Sequence, residues 1–280
     1  MNADCLRYRL TEAERRQFNE QGFLPLPGVL PEARVRELTA IVDGYFAEAR
    51  RNGLGPHERL FMPNFLGRDA AFAELLDWPR VLPKVWGLLV WNIYSYHSHL
   101  IVTPPRDPSQ LEERKRLGWH QDSGRVNVEM ESHPRPRLSL KVGYFLSDCS
   151  QPNRGNFCVL PGTHLQDRLE FPEDGVSDPP GAIQVCGAPG DAVAFDRRLW
   201  HSASPNRSQV TRKILFYGYG YRWLRPKDDM TIPEEMMAAA DPIRKQLLGW
   251  SAGNNARFSP KEGDAPLREW LAEHDPDAVG

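Results

Sequence analysis

Trp119-His120-Gln121-Asp122 is the stretch from which the fold can be read. In a β-strand, residues two apart project from the same face, so His120 and Asp122 point together while Gln121 points away. A third donor then has to arrive on a neighbouring strand, and Leu199-Trp200-His201-Ser202 offers His201. Two imidazoles and one carboxylate form the set that holds a non-heme Fe(II) by one face and leaves other coordination positions open. A His-x-Asp pair alone recurs by chance, so the surrounding sequence decides its weight.

Outward from that stretch the chain alternates. Ile93, Ser95, His97, His99 and Ile101 are expected on one strand face, with Tyr94, Tyr96, Ser98, Leu100 and Val102 on the other. Strand-like runs follow at residues 137–146, 156–160, 183–186, 192–195 and 213–221. Asn153-Arg154-Gly155, Pro161-Gly162-Thr163 and Ala188-Pro189-Gly190-Asp191 supply turns between them. Short strands without intervening helices predict a mainly β jelly roll or sandwich.

Both flanks read as helical. Thr11-Glu12-Ala13-Glu14 is a capping box for a helix ending near Gly22. Pro31 opens a second helix, with Val35, Leu38, Ile41, Val42, Tyr45 and Phe46 on its apolar face. Shorter helices are expected at 69–76 and 80–89, and the tail from Pro233 returns to helical pieces. Pro104-Pro105-Arg106-Asp107-Pro108 and the charged run 112–116 predict a surface loop. The expected organisation is one domain over 1–280: a mostly helical flank (1–91), a jelly-roll core (92–223) and a helical tail (224–280).

The composition is that of a globular protein, with 40% hydrophobic and 26% charged residues in 280. A net charge of −2 gives no reason to expect nucleic acid or anionic membrane as a partner. Four cysteines without C-x-x-C spacing argue against a thiolate zinc site and for reduced thiols. With no signal peptide in view and no apolar run long enough to span a bilayer, a cytoplasmic location is expected.

Arg212 opens the apolar run Lys213-Ile214-Leu215-Phe216-Tyr217. A buried guanidinium needs an anionic partner, either a structural Asp or Glu or a ligand carboxylate held by its planar fork. His97 and His99 make a second metal-compatible spacing, as an all-histidine cupin-type site would use. His164 reads as a turn residue, and His57, His133 and His274 as surface residues. Arg125, Arg135, Arg137 and Lys141 read as a solvated loop more readily than as a site for an acidic substrate. Tyr217, Tyr219 and Tyr221 share a face that would be core or barrel lining.

These pieces together resemble the phytanoyl-CoA dioxygenase family of Fe(II)/2-oxoglutarate-dependent oxygenases. The resemblance runs from Phe18 and Gly22-Phe23-Leu24 to about residue 223. It is carried by Asn92-Ile93, Trp119-His120-Gln121-Asp122, Val159-Leu160-Pro161-Gly162-Thr163-His164, Gly190-Asp191, Phe195-Asp196, His201 and Arg212. It implies a double-stranded β-helix (jelly roll) core with flanking N-terminal and C-terminal helices. It also implies iron on His120, Asp122 and His201, and 2-oxoglutarate on Arg212, with Gln121, His99 and Tyr144 at further co-substrate positions. Ala203 stands where relatives carry a hydroxyl, between Ser202 and Ser204. Halogenating relatives lack the carboxylate that Asp122 supplies, so its presence favours oxygen transfer.

The implied activity is hydroxylation of an aliphatic C–H bond of a small-molecule metabolite, using O2 and producing succinate and CO2. Two other readings stay open: a cupin-like metal enzyme without 2-oxoglutarate, and a non-catalytic jelly-roll binding protein. The sequence carries no signal for oligomeric state or for the identity of the substrate.

Overall fold

Nine strands arrange into two facing antiparallel sheets among the described residues, which in this computed structural model are 1–110, 115–122 and 124–279. The major sheet runs β1-β7-β4-β9-β3-β2. Its strands are β1 (Phe23–Leu26), β2 (Leu60–Pro63), β3 (Ile93–Thr103), β4 (Ser139–Phe145), β7 (Ala192–Asp196) and β9 (Arg212–Tyr221). The minor sheet runs β6-β5-β8, from β5 (Phe157–Val159), β6 (Ile183–Val185) and β8 (His201–Ala203). His120 bridges His201 and so adds a single-residue rung beyond β8. The expected double-stranded β-helix is present.

Strand alternation sorts the major sheet into two faces. Leu140, Val142 and Tyr144 of β4, with Leu215, Tyr217 and Tyr219 of β9, pack outward against the helices. Phe145, Phe195, Ile214 and Phe216 point inward to meet Phe157, Val159 and Val185 of the minor sheet. The three outward tyrosines end on backbone carbonyls of the helical layer: Tyr144 on Leu75, Tyr217 on Phe72 and Tyr219 on Leu76. Buried hydroxyls need such partners.

The capping box forms, with Thr11 Oγ1 accepting from the Glu14 N–H and Glu14 accepting from the Thr11 N–H. Helix α1 (Glu12–Gln21) ends at Gly22, whose φ of 80° lies in the left-handed region. A Cβ there would collide with the His164 ring and Leu199, so glycine also lets α1 approach the jelly roll. His164 secures that approach, its Nε2 lying 3.0 Å from the Asn19 carbonyl oxygen. Helix α2 (Glu32–Arg51) buries Val35, Leu38 and Val42 as its periodicity predicts. The expected helices at 69–76 and 80–89 are shorter, α3 (Ala70–Ala73) and α4 (Leu82–Leu89).

Two expectations need correction. The flank read as mostly helical contributes β1 and β2, the two edge strands of the major sheet. The face assignment along β3 is also broken by a register shift between Ser95 and His97. An extra residue flips the parity of everything after it. Ile93 therefore packs outward with Leu100 and Val102, while His97, His99 and Ile101 turn inward.

Of the charged run 112–116, residues 112–114 lie outside the described residues; Lys115 is exposed and Arg116 half-buried. No helix among the described residues is long and apolar enough to cross a membrane.

Candidate active site

Backbone pairing brings the three donors together. His120 and His201 exchange N–H···O bonds of 3.0 and 2.9 Å, and the Asp122 N–H donates to the Arg197 carbonyl at 2.8 Å. One donor atom from each of His120, Asp122 and His201 lies within 4.8 Å of the others. Each imidazole has Nδ1 2.8 Å from a carbonyl oxygen two residues earlier, Gly118 for His120 and Leu199 for His201. Donation from Nδ1 fixes the tautomer that leaves Nε2 bare, the form a metal requires. Burial pulls His201 down to about 4 against the opposing charge of Asp122, so its ring is neutral at neutral pH.

Asp122 is not alone. Lys141 Nζ lies 2.8 Å from Asp122 Oδ2, and both side chains are buried. Burial alone would raise the Asp122 carboxyl, but the Lys141 ammonium outweighs it and holds the group well below the ordinary carboxylate range. Lys141 belongs to neither reading given above for the basic residues around it. Arg125 pairs with Glu129, Arg135 with Asp167 and Arg137 with Asp196, whereas Lys141 points inward from β4. Parity along Leu140-Lys141-Val142-Gly143-Tyr144-Phe145 could have found it, because Lys141 shares the inward face with Phe145.

The triad opens into a cavity of about 750 Å³. Phe157, Phe195 and Phe216 make one apolar wall, with the Phe195 and Phe157 rings 5.1 and 5.4 Å from that of His201. Arg212 lines the cavity with only 2% of its surface exposed. Its Nε has no hydrogen-bond partner among the described residues. The charged and titratable groups that act on it are the Cys149 and Cys158 thiols and Arg59, and no carboxylate pairs with it among the described residues. Gly155 makes room for it: at φ 72°, an added Cβ would sit 2.9 Å from Arg212 Cδ. Ser204 Oγ, also in the cavity wall, is buried without a hydrogen-bond partner among the described residues, while Ala203 is exposed and lines the same space. His57, expected on the surface, lies at the cavity rim with Nδ1 2.9 Å from the Pro105 carbonyl oxygen.

The other expected co-substrate contacts fare differently. Tyr144 stands on the outward face of the major sheet, hydrogen-bonded to Leu75, and does not line the cavity. Gln121 reaches the cavity wall, but its amide is spent. Nε2 donates to the Gln166 and Arg198 carbonyls, and Oε1 accepts from Asn127 Nδ2 at 2.9 Å. His99 lines the cavity but is tied to His97, with Nδ1 3.0 Å from His97 Nε2. Among the described residues His97 and His99 find no third donor, the one group of three possible metal ligands being His120, Asp122 and His201.

A double-stranded β-helix with a two-histidine, one-carboxylate set between its sheets defines a jelly-roll protein with a candidate metal centre. The chain belongs to the phytanoyl-CoA dioxygenase family, whose sequence profile matches residues 18–214. It is 24% identical over 196 residues to the dioxygenase cdmD of Talaromyces verruculosus, covering 68% of this chain and 61% of that one. It is 24% identical over 233 residues to an L-proline trans-4-hydroxylase of Streptomyces griseoviridis, covering 72% and 84%. The matched stretch spans about half the length of further fungal dioxygenases. HygX of Streptomyces hygroscopicus, solved with nickel and 2-oxoglutarate bound, superposes with a TM-score of 0.58 at 18% identity, covering 78% of this chain and 90% of that one. At that identity the likeness is one of fold.

Proposed function

We propose that this protein is an Fe(II)- and 2-oxoglutarate-dependent oxygenase that hydroxylates an aliphatic C–H bond of a small-molecule metabolite. The observation that carries this reading is Arg212, a buried guanidinium facing the triad's cavity with no carboxylate among the described residues to answer it. An unpaired buried charge costs several kcal/mol, so a ligand carboxylate is the expected complement. 2-Oxoglutarate has one carboxylate for Arg212 and a keto acid end for a metal on His120, Asp122 and His201. The donor set fits iron, being one carboxylate and two imidazoles.

Iron with 2-oxoglutarate and O2 supplies, when bound, an oxidant able to break an aliphatic C–H bond. The overall change is R–H + 2-oxoglutarate + O2 → R–OH + succinate + CO2. The chain's own residues do the rest. The triad fixes ligand geometry and leaves open positions, and Lys141 keeps Asp122 ionised. Arg212 sets the co-substrate's direction, and the phenylalanine wall keeps the reacting centre dry. The cavity volume suits a co-substrate and a small substrate together. The relatives named above include one that, by its name, hydroxylates L-proline.

A cupin-like enzyme without a keto acid would leave Arg212 without an anion, which counts against that rival. The test is anaerobic titration of the metal-free protein with Fe(II) and 2-oxoglutarate, watching the weak visible charge-transfer band of the chelate. A band in the wild type that fades in Arg212→Ala and His201→Ala is expected. Iron binding with no band would favour the cupin-like reading, and no iron binding would end the enzymatic one.

A further inference from the structure

His97 and His99 are both buried on the inward face of β3, and both line the cavity. Asp228, on the segment after β9, anchors them. Its Oδ1 lies 2.5 Å from His97 Nδ1, and its Oδ2 accepts from the Ser98 N–H. His97 Nε2 in turn lies 3.0 Å from His99 Nδ1. The His99 ring is held between Phe61 and Phe216, at centroid distances of 5.2 and 4.9 Å. The Lys227 N–H, donating to the Tyr96 carbonyl at 2.8 Å, fastens the segment beside it.

Such a row of hydrogen bonds has a direction. An ionised carboxylate only accepts, so His97 carries its proton on Nδ1. Burial lowers both histidines below the ordinary imidazole range, so each ring holds a single proton. His97 Nε2 is therefore an acceptor, and His99 donates to it from Nδ1. That leaves His99 Nε2 bare, with no hydrogen-bond partner among the described residues.

We propose that Asp228, His97 and His99 form a one-way hydrogen-bond chain whose open end, His99 Nε2, accepts from a hydroxyl or N–H group of the substrate and orients it. This rests on the cavity being the oxygenase site. 2-Oxoglutarate offers only carboxylate and ketone oxygens, all acceptors, so the matching group belongs to the substrate. His99 is the specificity-determining contact; His97 and Asp228 are positioning residues that set its polarity.

The experiment uses the full chain loaded with Zn(II), a diamagnetic substitute for iron, and 2-oxoglutarate. Two-bond ¹H–¹⁵N correlation spectra separate bare from protonated ring nitrogens. The wild type should show His99 Nε2 bare and Nδ1 protonated. In Asp228→Asn, the carboxamide oxygen takes the Ser98 N–H and its NH2 faces His97 Nδ1. The chain should then reverse, with His99 Nε2 protonated, while Asp228→Glu keeps the wild-type pattern. A protonated Nε2 in the wild type, or no reversal in Asp228→Asn, overturns the proposal.

Titration with matched pairs, small alcohols and carboxamides against their O-methyl and N,N-dimethyl counterparts, tests the ligand class. Displacement of the His99 Nε2 signal by the donor member alone is expected. An equal response to both members, or no response to any donor, overturns it. Loss of the oxygenase reading would show separately, as an absent Fe(II)–2-oxoglutarate band with the histidine tautomers intact.

Discussion

Lys141 and Asp122 form an ion pair of 2.8 Å between the two sheets, each side chain almost without solvent exposure. A metal bound to Asp122 would share that carboxylate with Lys141, so the ammonium and the cation do overlapping electrostatic work. Lys141→Met leaves Asp122 buried and unpaired, a change that costs about 3–5 kcal/mol. In the metal-free protein Tm should fall by roughly 10 °C. Mn(II) or Zn(II) should then raise Tm more in the variant than in the wild type, because the cation replaces the missing charge. Thermal melts with and without chelator measure this, and an equal Tm deficit in both conditions would disprove the link to Asp122.

Arg212 yields a prediction with a built-in control. Arg212→Lys keeps the charge but loses the planar fork, and charge-assisted hydrogen bonds are worth about 1.5–3 kcal/mol each. The 2-oxoglutarate Kd should rise roughly 10- to 100-fold with Fe(II) affinity unchanged. Gly155→Ala should move the same quantity through Arg212, since its Cβ would press on Arg212 Cδ at a backbone φ of 72°. Anaerobic titration of the charge-transfer band reads both. A Gly155→Ala protein that binds 2-oxoglutarate like the wild type would show that Arg212 has room to shift.

Tyr144 separates what the family pattern implies from what the structure supports. Its hydroxyl is 3.2 Å from the Leu75 carbonyl oxygen, on the helical side of the sheet. Tyr144→Phe should leave the 2-oxoglutarate Kd unchanged and cost about 1 kcal/mol of stability, from one buried hydrogen bond. A weakened co-substrate with unchanged stability would return Tyr144 to the site.

The donor set and Arg212 were legible because each is a chemically odd residue at a strand position whose parity can be counted. The inward face of β9, from Arg212 through Ile214 to Phe216, follows directly from alternation. The edge strands were not legible. Phe23-Leu24-Pro25-Leu26 and Leu60-Phe61-Met62-Pro63 are four residues each and contain proline, which an edge tolerates because one side of the strand makes no ladder bonds. The bulge after Ser95 has no signature of its own, yet it reverses the face of every residue preceding it relative to His97 and His99. Asp228 was out of reach for another reason. Its partnership with His97 joins positions far apart in the chain, and no local pattern announces it.

Asp196 gives the prediction that depends on pH. Its carboxylate is fully buried and accepts from the Arg198 N–H, Nε and Nη2 at 2.9, 2.8 and 2.7 Å, and from Arg137 Nε at 3.0 Å. Burial alone would raise it, but the Arg198 hydrogen bonds and charge prevail and hold it below the ordinary carboxylate range. A folded-state value below the unfolded one means the native state favours the ionised form. The stabilisation is then complete above the unfolded value of about 3.9 and is lost as pH falls through the folded value. Asp196→Asn removes the charge and leaves two guanidinium groups facing a neutral amide, at a cost of about 3 kcal/mol or more near neutral pH. That deficit should shrink in acid, where the wild-type carboxyl also becomes neutral. Urea midpoints of both proteins from pH 7 downward test the sign, since a deficit that stays constant would place the acid sensitivity in other carboxylates.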